Sequence, residues 1–356
     1  MPKALSVASF NLLNLAEPGQ VTHQGSQPLD QATYDRKVRW IADKLTDIRA
    51  DLIGFQEVWS VKALTDCFVA AGLEDKYTLV ARDGPPGLVQ VAAAVRKTYP
   101  VAANPDGHWI EDFPPELQLI KRPPKRGKPL NTMHVEITKF SRPILALTLQ
   151  MEAGLTLRFF VIHLKSKLPM DLDDKEADDP KISVHRDAIG SALSTIRRTA
   201  EVAALRVWLN KELRDTRVPY VVAGDMNDGH LSNTAAILSA QPPQKLFAAS
   251  RVGAKPSKAG DVGLYSAQML QEFRSLRDVY YTYVHENVME SLDHIFVSEE
   301  FYDHSPNRIW TFRELKVLND HIHFRAKGDK IRTDHGIVIA RFDAAKTESE
   351  PEPPIG

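Results

Sequence analysis

Nine short apolar or alternating runs, at 4–10, 51–57, 77–81, 89–95, 144–149, 155–162, 219–223, 291–297 and 336–342, limit what this chain can fold into. Three stretches carry a helical apolar stripe instead. They are 33–48 with Val38, Ile41, Leu45 and Ile48; 61–71 with Leu64, Cys67, Phe68 and Ala71; and 183–213 with Leu193, Ile196, Ala200, Ala203 and Val207. Strands outnumber helices, and several follow one another with no helix between them. That order argues against a strictly alternating doubly wound sheet and predicts two sheets packed face to face with helices outside, an α/β sandwich.

The 356 residues suffice for one large or two average domains, and 43% hydrophobic with 26% charged residues supply a sizeable core. Loops are expected at 17–32, in the proline-rich 102–131, in the acidic 171–180 and at 241–263, and a disordered tail over 344–356. The 45 basic and 46 acidic residues nearly cancel, so no global field draws the protein to a polyanion; a local basic patch or a bound cation would be needed. A single cysteine, Cys67, excludes an intrachain disulfide and a multi-cysteine zinc site, and its helical phase assigns it to packing. Ser6, Ser9, Asn11 and Asn14 interrupt the apolar N-terminus, and no other run reaches the length of a transmembrane helix. A cytoplasmic protein is the default expectation, with secretion open if a leader precedes this sequence.

Several of the strands end in chemistry. In DLIGFQEVW an apolar run terminates at Glu57, a carboxylate that must reach solvent or meet a cation, because burying it unpaired is costly. PYVVAGDMNDGH places Asp225 and Asn227 two apart, on one side of an extended backbone, although the same residues also favour the start of a turn. In SLDHIFVS, Asp293 and His294 are neighbours within an apolar run, so one faces inward and needs a partner. A histidine held by a buried carboxylate suits acid–base work, and a purely structural hydrogen bond suits it equally. FFVIHLKSK ends in His163, Lys165 and Ser166, and IRTDHGIVIARF sets Asp334 and His335 directly before a strand. Separately each has a bland explanation; together they spend more polar groups at strand ends than a core would without a site to build.

In order and wording these motifs resemble the endonuclease/exonuclease/phosphatase superfamily. The matching stretches are SFNLLNL with Asn11, FQEVW with Glu57, HLKSK with His163, GDMND with Asp225 and Asn227, SLDHIF with Asp293, and TDHG with Asp334 and His335, spanning residues 7 to 340. The wording is closest to bacterial secreted-nuclease-like members, which share a helix like 197–209, RRTAEVAALRVWL. The resemblance implies a DNase I-like, four-layered α/β sandwich forming one catalytic domain over 1–343. Thr333 stands where the family usually has Ser, and His294 where Tyr is frequent. The acid that supports the first histidine in the deoxyribonuclease branch has no clear match, Glu74 and Asp83 being the candidates.

What the resemblance implies chemically is a divalent-metal-dependent phosphoesterase. Glu57, Asn11 and Asp334 form the expected metal set, for Mg²⁺ or Mn²⁺ with Ca²⁺ also compatible, since hard oxygen donors suit these ions. His163, Asp225, Asn227, Asp293 and His335 form the catalytic set: Asp225, or His335 oriented by Asp293, as base, Asn227 donating to the phosphoryl group and His163 to the phosphate or leaving oxygen. Arg142 and Lys165 are candidates to contact substrate phosphate, or are plain surface charges. The run 121–128, KRPPKRGK, has five basic residues and no acid, and is either a solvated loop or a grip on a polyanion. A phosphodiester in nucleic acid is the favoured substrate. A lipid or small-molecule phosphodiesterase or phosphatase is the alternative, and a non-catalytic binding module is disfavoured because no expected catalytic position is lost. No oligomeric state is legible.

Overall fold

The computed structural model describes residues 3–23, 25–85, 87–102, 108–117, 119–121, 133–242, 262–275, 281–285 and 287–345. Leu52–Gln56 and the whole of Tyr220–Asp225 are buried. Strands apolar on both faces need cover above and below, and the fold supplies it in four layers. The first sheet joins β1 (Leu5–Leu15), β2 (Leu52–Val58), β3 (Tyr77–Val80), β4 (Gln90–Arg96), β15 (Trp310–Leu318) and β16 (Ile337–Ala344) in the order β15-β16-β1-β2-β4-β3. The second joins β5 (His108–Asp112), β8 (Lys139–Gln150), β9 (Thr156–His163), β10 (Tyr220–Asp225), β11 (Tyr265–Ser266) and β14 (Asp293–Val297) in the order β11-β14-β10-β9-β8-β5. Two small pairs stand apart, β6 (Leu119–Lys121) with β7 (Met133–Val135) and β12 (Tyr283–His285) with β13 (Val288–Glu290). The predicted sandwich is the observed one.

Between the sheets lies a core that includes Val7, Leu52, Leu147, Phe159, Val161, Ala223, Ile295 and Ala340. Outside the first sheet pack α1 (Gln31–Ile48) and α2 (Val61–Ala70), which begin where Asp30 accepts from the Thr33 amide and Ser60 from the Ala63 amide. Cys67 is buried in this layer. Short helices α3 (Asp174–Asp178) and α4 (Pro180–Ser183) precede the long α5 (Arg186–Leu213), which with α6 (Asn233–Ser239) covers the second sheet. Further short helices are α7 (Ala267–Glu272) and α8 (Asp320–His323). No helix of the described residues is long and apolar enough to cross a membrane.

Three expectations need correction. The stripe read for α5 is displaced: Leu193 and Ile196 are exposed, and the buried face includes Arg198, Glu201, Leu205 and Leu209, because two charged residues turn inward to bond backbone. The acidic stretch 171–180 contains α3, started by a reciprocal capping box between Asp173 and Glu176. The expected loop 102–131 contains β5 and β6, and 122–132, with most of the basic run, lies outside the described residues, as do 243–261 and the tail beyond 345.

The strand pairing decides where the site forms. On β10, Asp225 is in register with His163 of β9 on one side and Asp293 of β14 on the other, while Asn11 of β1 is level with Gln56 of β2. The motif strand ends thus meet at one rim. Gly224 makes that registry possible, since a Cβ there would sit 2.0 Å from the Ile162 carbonyl oxygen, at a φ of +152°. A Gly224→Ala substitution is expected to destabilise the protein by about 1–3 kcal/mol, read as a lowered denaturant midpoint; an unchanged midpoint would contradict this packing.

Candidate active site

At the rim of the first sheet the backbone bends sharply. Leu13, Asn14 and Glu57 all have positive φ, at 47°, 54° and 62°, a region that costs a non-glycine residue of order 1 kcal/mol and so is retained where the surroundings enforce it. The bends bring the Asn14 amide to Glu57 Oε2 at 2.9 Å, while Asn11 Nδ2 donates to Glu57 Oε1 at 3.2 Å. The same Nδ2 lies 3.3 Å from Asp225 Oδ2, in the other sheet. Asn11 Oδ1 accepts the Leu13 amide at 3.0 Å, which fixes the orientation of the side chain and turns its oxygen away from Glu57.

The second rim is an array of acids and imidazoles. His335 Nδ1 lies 2.8 Å from Asp293 Oδ2, its Nε2 is 3.9 Å from Asp225 Oδ2, and His163 Nε2 is 3.6 Å from the same oxygen. Burial alone would depress His335, but the Asp293 and Asp225 carboxylates outweigh it and hold the imidazolium well above the ordinary histidine value. Burial, reinforced by the charges of Arg142 and His335, pushes His163 well below it. The two rings therefore differ in charge at neutral pH. His163 Nδ1 is buried without a partner among the described residues, which fits a neutral ring with its proton on Nε2, facing Asp225. Burial raises Asp225, with the His335 charge opposing and Asp293 adding.

Asp293 and His294 are both buried because helices cover the outer face of their sheet. Asp293 meets His335, and His294 Nε2 donates to the Asp228 carbonyl at 2.8 Å, so the second histidine holds the GDMND loop. Thr333 Oγ1 accepts the His335 amide at 3.2 Å, so the hydroxyl at this position is in use. Asn227, with φ at 53°, gives its amide N–H to Asp225 Oδ1 at 2.7 Å and Nδ2 to the Leu164 carbonyl at 3.0 Å. Neither acid considered as a support for His163 serves there: Glu74 is exposed and Asp83 accepts from the Val61 amide.

These groups surround a cavity of about 440 Å³ whose wall includes Glu57, His163, Asp225, Asn227, Asp334 and His335. Arg142 also lines it, anchored by a hydrogen bond to the Leu164 carbonyl at 2.9 Å. Lys165 does not; its ammonium folds back onto Ser166 and the Leu168 carbonyl. Lys167 lines it instead, ion-paired with Glu290, and the sequence reading passed over it, as it did Asn14, His23 and Tyr283. The Tyr283 ring packs 5.0 Å from that of His335. HLKSK contains both lysines, and only the turn after β9 decides which one faces inward.

Two places could hold a cation. Asp225, Asp293 and His335 each offer a ligand atom within 4.8 Å of the others, but His335 Nδ1–H is already given to Asp293 and a charged ring would repel a cation. Glu57 and Asp334 both line the cavity. Among the described residues no lysine or arginine lies within ion-pair distance of Glu57, and Asp334 has Arg325 only at 4.0 Å. That donor set fits a hard divalent ion.

The sequence model of the Endonuclease/Exonuclease/phosphatase family matches residues 8–335. No curated protein matches the sequence. Among solved structures, an endonuclease/exonuclease/phosphatase family protein from Bacteroides thetaiotaomicron aligns with a TM-score of 0.51 at 17% identity, covering 97% of this chain and 100% of its own. D. rerio TDP2 complexed with a single-strand DNA product gives 0.53 at 14%, covering 96% and 99%. A mannosyl-6-phosphatase from Bacteroides thetaiotaomicron gives 0.51 at 15%, covering 95% and 99%.

The different charge states of the two histidines can be read directly. In metal-free protein, imidazole ¹⁵N signals should report His335 as charged at neutral pH and His163 as neutral even below about pH 6.5, the ordinary histidine midpoint. An Asp293→Asn substitution should bring the His335 midpoint down, Asp225 keeping part of the effect; a midpoint that did not fall would refute the stated cause.

Proposed function

We infer the reaction from the fact that this chain belongs to the endonuclease/exonuclease/phosphatase family, and we propose that it hydrolyses phosphodiester bonds with a divalent cation, nucleic acid being the favoured substrate. The observation that carries this reading is the meeting of Glu57, Asp225, His163, Asp334 and the Asp293–His335 pair around one cavity, from strand ends far apart in the chain.

Glu57 and Asp334 would hold Mg²⁺ or Mn²⁺, with Ca²⁺ a further candidate. Asn11 joins this set through its hold on Glu57, since its own oxygen is engaged by Leu13. When bound, the cation would supply positive charge to a phosphoryl oxygen. Asp225 is suited to take the proton of the attacking water: burial raises its proton affinity, and the Asn227 amide and Asn11 Nδ2 aim its oxygens. As the new P–O bond forms and the old one breaks, the departing oxygen would take a proton from the His335 imidazolium, which Asp293 orients. His163 Nε2–H and the free N–H of the Asn227 amide are donors to the phosphoryl oxygens, and Arg142 is the charged contact. Lys165 plays no part in this assignment.

Three observations bear on the substrate. The DNA product bound to D. rerio TDP2 supports nucleic acid. A phosphomonoester or other small phosphorylated molecule is the second reading. It is favoured by the cavity's cations, Arg142 and a Lys167 neutralised by Glu290, which suit one phosphate better than a polyanion, and by the mannosyl-6-phosphatase of like fold.

Purified protein is expected to hydrolyse bis(4-nitrophenyl) phosphate with Mg²⁺ or Mn²⁺ and to stop in EDTA. His335→Ala should lower turnover by about 10²–10⁴-fold. Wild-type turnover in that variant, or in EDTA, would sink the assignment. Single-stranded DNA and RNA should be cut faster than sugar phosphates, and the reverse preference would select the second reading.

A further inference from the structure

Lys37 breaks the apolar stripe of α1. It is 1% exposed, on a face it shares with Tyr34, Val38, Ile41 and Leu45. Leucine or methionine would fill such a position without the desolvation penalty that a buried ammonium carries. No carboxylate lies within ion-pair distance of it among the described residues. Its Nζ donates to two backbone carbonyls, Leu13 at 2.8 Å and Lys330 at 3.1 Å.

One carbonyl belongs to the turn that holds Glu57 in place and the other to the segment that carries Asp334. Leu13 lies in the left-handed turn that delivers the Asn14 amide to Glu57. Lys330 begins the segment leading to Asp334 and His335. The same helix braces that segment a second time: Trp40 packs edge-on against His321 with ring centres 5.1 Å apart, and His321 Nε2 donates to the His335 carbonyl at 2.8 Å. A charge buried at this point, bonded to backbone, ties the bent end of β1 to the segment before Asp334, far apart in the chain.

We propose that Lys37 is a positioning residue for the reaction: its ammonium bolts the turn behind Glu57 to the segment bearing Asp334, and so fixes the spacing of the two carboxylates that receive the cation. This rests on the reading of Glu57 and Asp334 as cation ligands. It also makes a prediction opposite in sign to simple electrostatics. Removing a nearby positive charge should by itself tighten binding of a divalent cation; losing the bolt should weaken it, as loss of an outer support of a metal site does.

The experiment uses the full chain as wild type, Lys37→Met and Lys37→Gln. Mn²⁺ affinity is measured by electron paramagnetic resonance of the free ion without substrate, and turnover of bis(4-nitrophenyl) phosphate at saturating Mn²⁺. In the methionine variant the Mn²⁺ dissociation constant is expected to rise about 10–100-fold, with kcat reduced and KM little changed. Glutamine, which keeps two N–H donors but no charge, should recover part of the affinity. Affinity equal to or tighter than wild type in a folded methionine variant overturns the proposal. Should methionine prevent folding, glutamine carries the same criterion. Wild-type protein that binds no Mn²⁺ overturns the cation reading beneath it, an outcome distinct from equal binding by wild type and variants.

Discussion

One amide spans the seam between the two sheets. Asn11 Nδ2 reaches Glu57 in its own sheet and Asp225 in the other, at 3.2 and 3.3 Å, while its oxygen is tied to the Leu13 amide. Two acids brought this close repel each other, and a donor shared between them is what allows both to stay directed at one cavity. The arrangement demands that the two sheets keep a fixed registry at their rims. The packed layer of Val7, Leu52, Phe159, Val161 and Ala223 behind the rim provides it, because side chains interlocked at crystal-like density do not slide.

The outer helices contribute to the site through backbone. From α5, Glu201 accepts the Ser141 and Lys165 amides at 2.8 Å each, tying the strand that carries Arg142 to the one that ends at His163. Arg198 donates to the Lys165 carbonyl at 3.3 Å and lies 3.5 Å from Asp228. Lys37 of α1 does the corresponding work on the first sheet. Each is a buried charge that bonds peptide groups of the segments around the site, with Glu201 also paired to Arg197 and Arg198 close to Asp228. Rigid placement of the acids and imidazoles is thus built into the layers outside them.

These buried charges also mark where sequence reading fails. The strands of both sheet centres were legible because runs such as LIGF and YVVA are apolar on both faces, and the site acids were legible because Glu57 and Asp225 close such runs while Asp293 and Asp334 sit at or before the start of one. The edge strand β15, WTFRELKVL, was not: one side faces water, and Arg313, Glu314 and Lys316 break the apolar signal. The buried face of α5 was misread because Arg198 and Glu201 count as exterior by composition, and only their backbone partners, 33 and 60 positions away, reveal them as interior. Tyr283 had no local signal, and Lys167 had only its place in HLKSK beside Lys165. Their roles come from a short hairpin and a turn whose directions tertiary packing decides.

The charge balance of the cavity connects composition to chemistry. With 45 bases against 46 acids the molecule has no field to draw an anion, and with Lys167 and Glu290 cancelling each other the carboxylates of Glu57, Asp225 and Asp334 make the cavity wall itself repel one. Arg142 and the His335 imidazolium offset part of this. A bound divalent cation would offset the rest, so anion binding and cation binding are coupled by Coulomb attraction in a site partly shielded from water. Cation-free protein should on this argument be a poor binder of phosphate esters as well as a poor catalyst. The neutrality of the chain as a whole then matters little, because attraction is generated locally, at the seam that Asn11 holds closed.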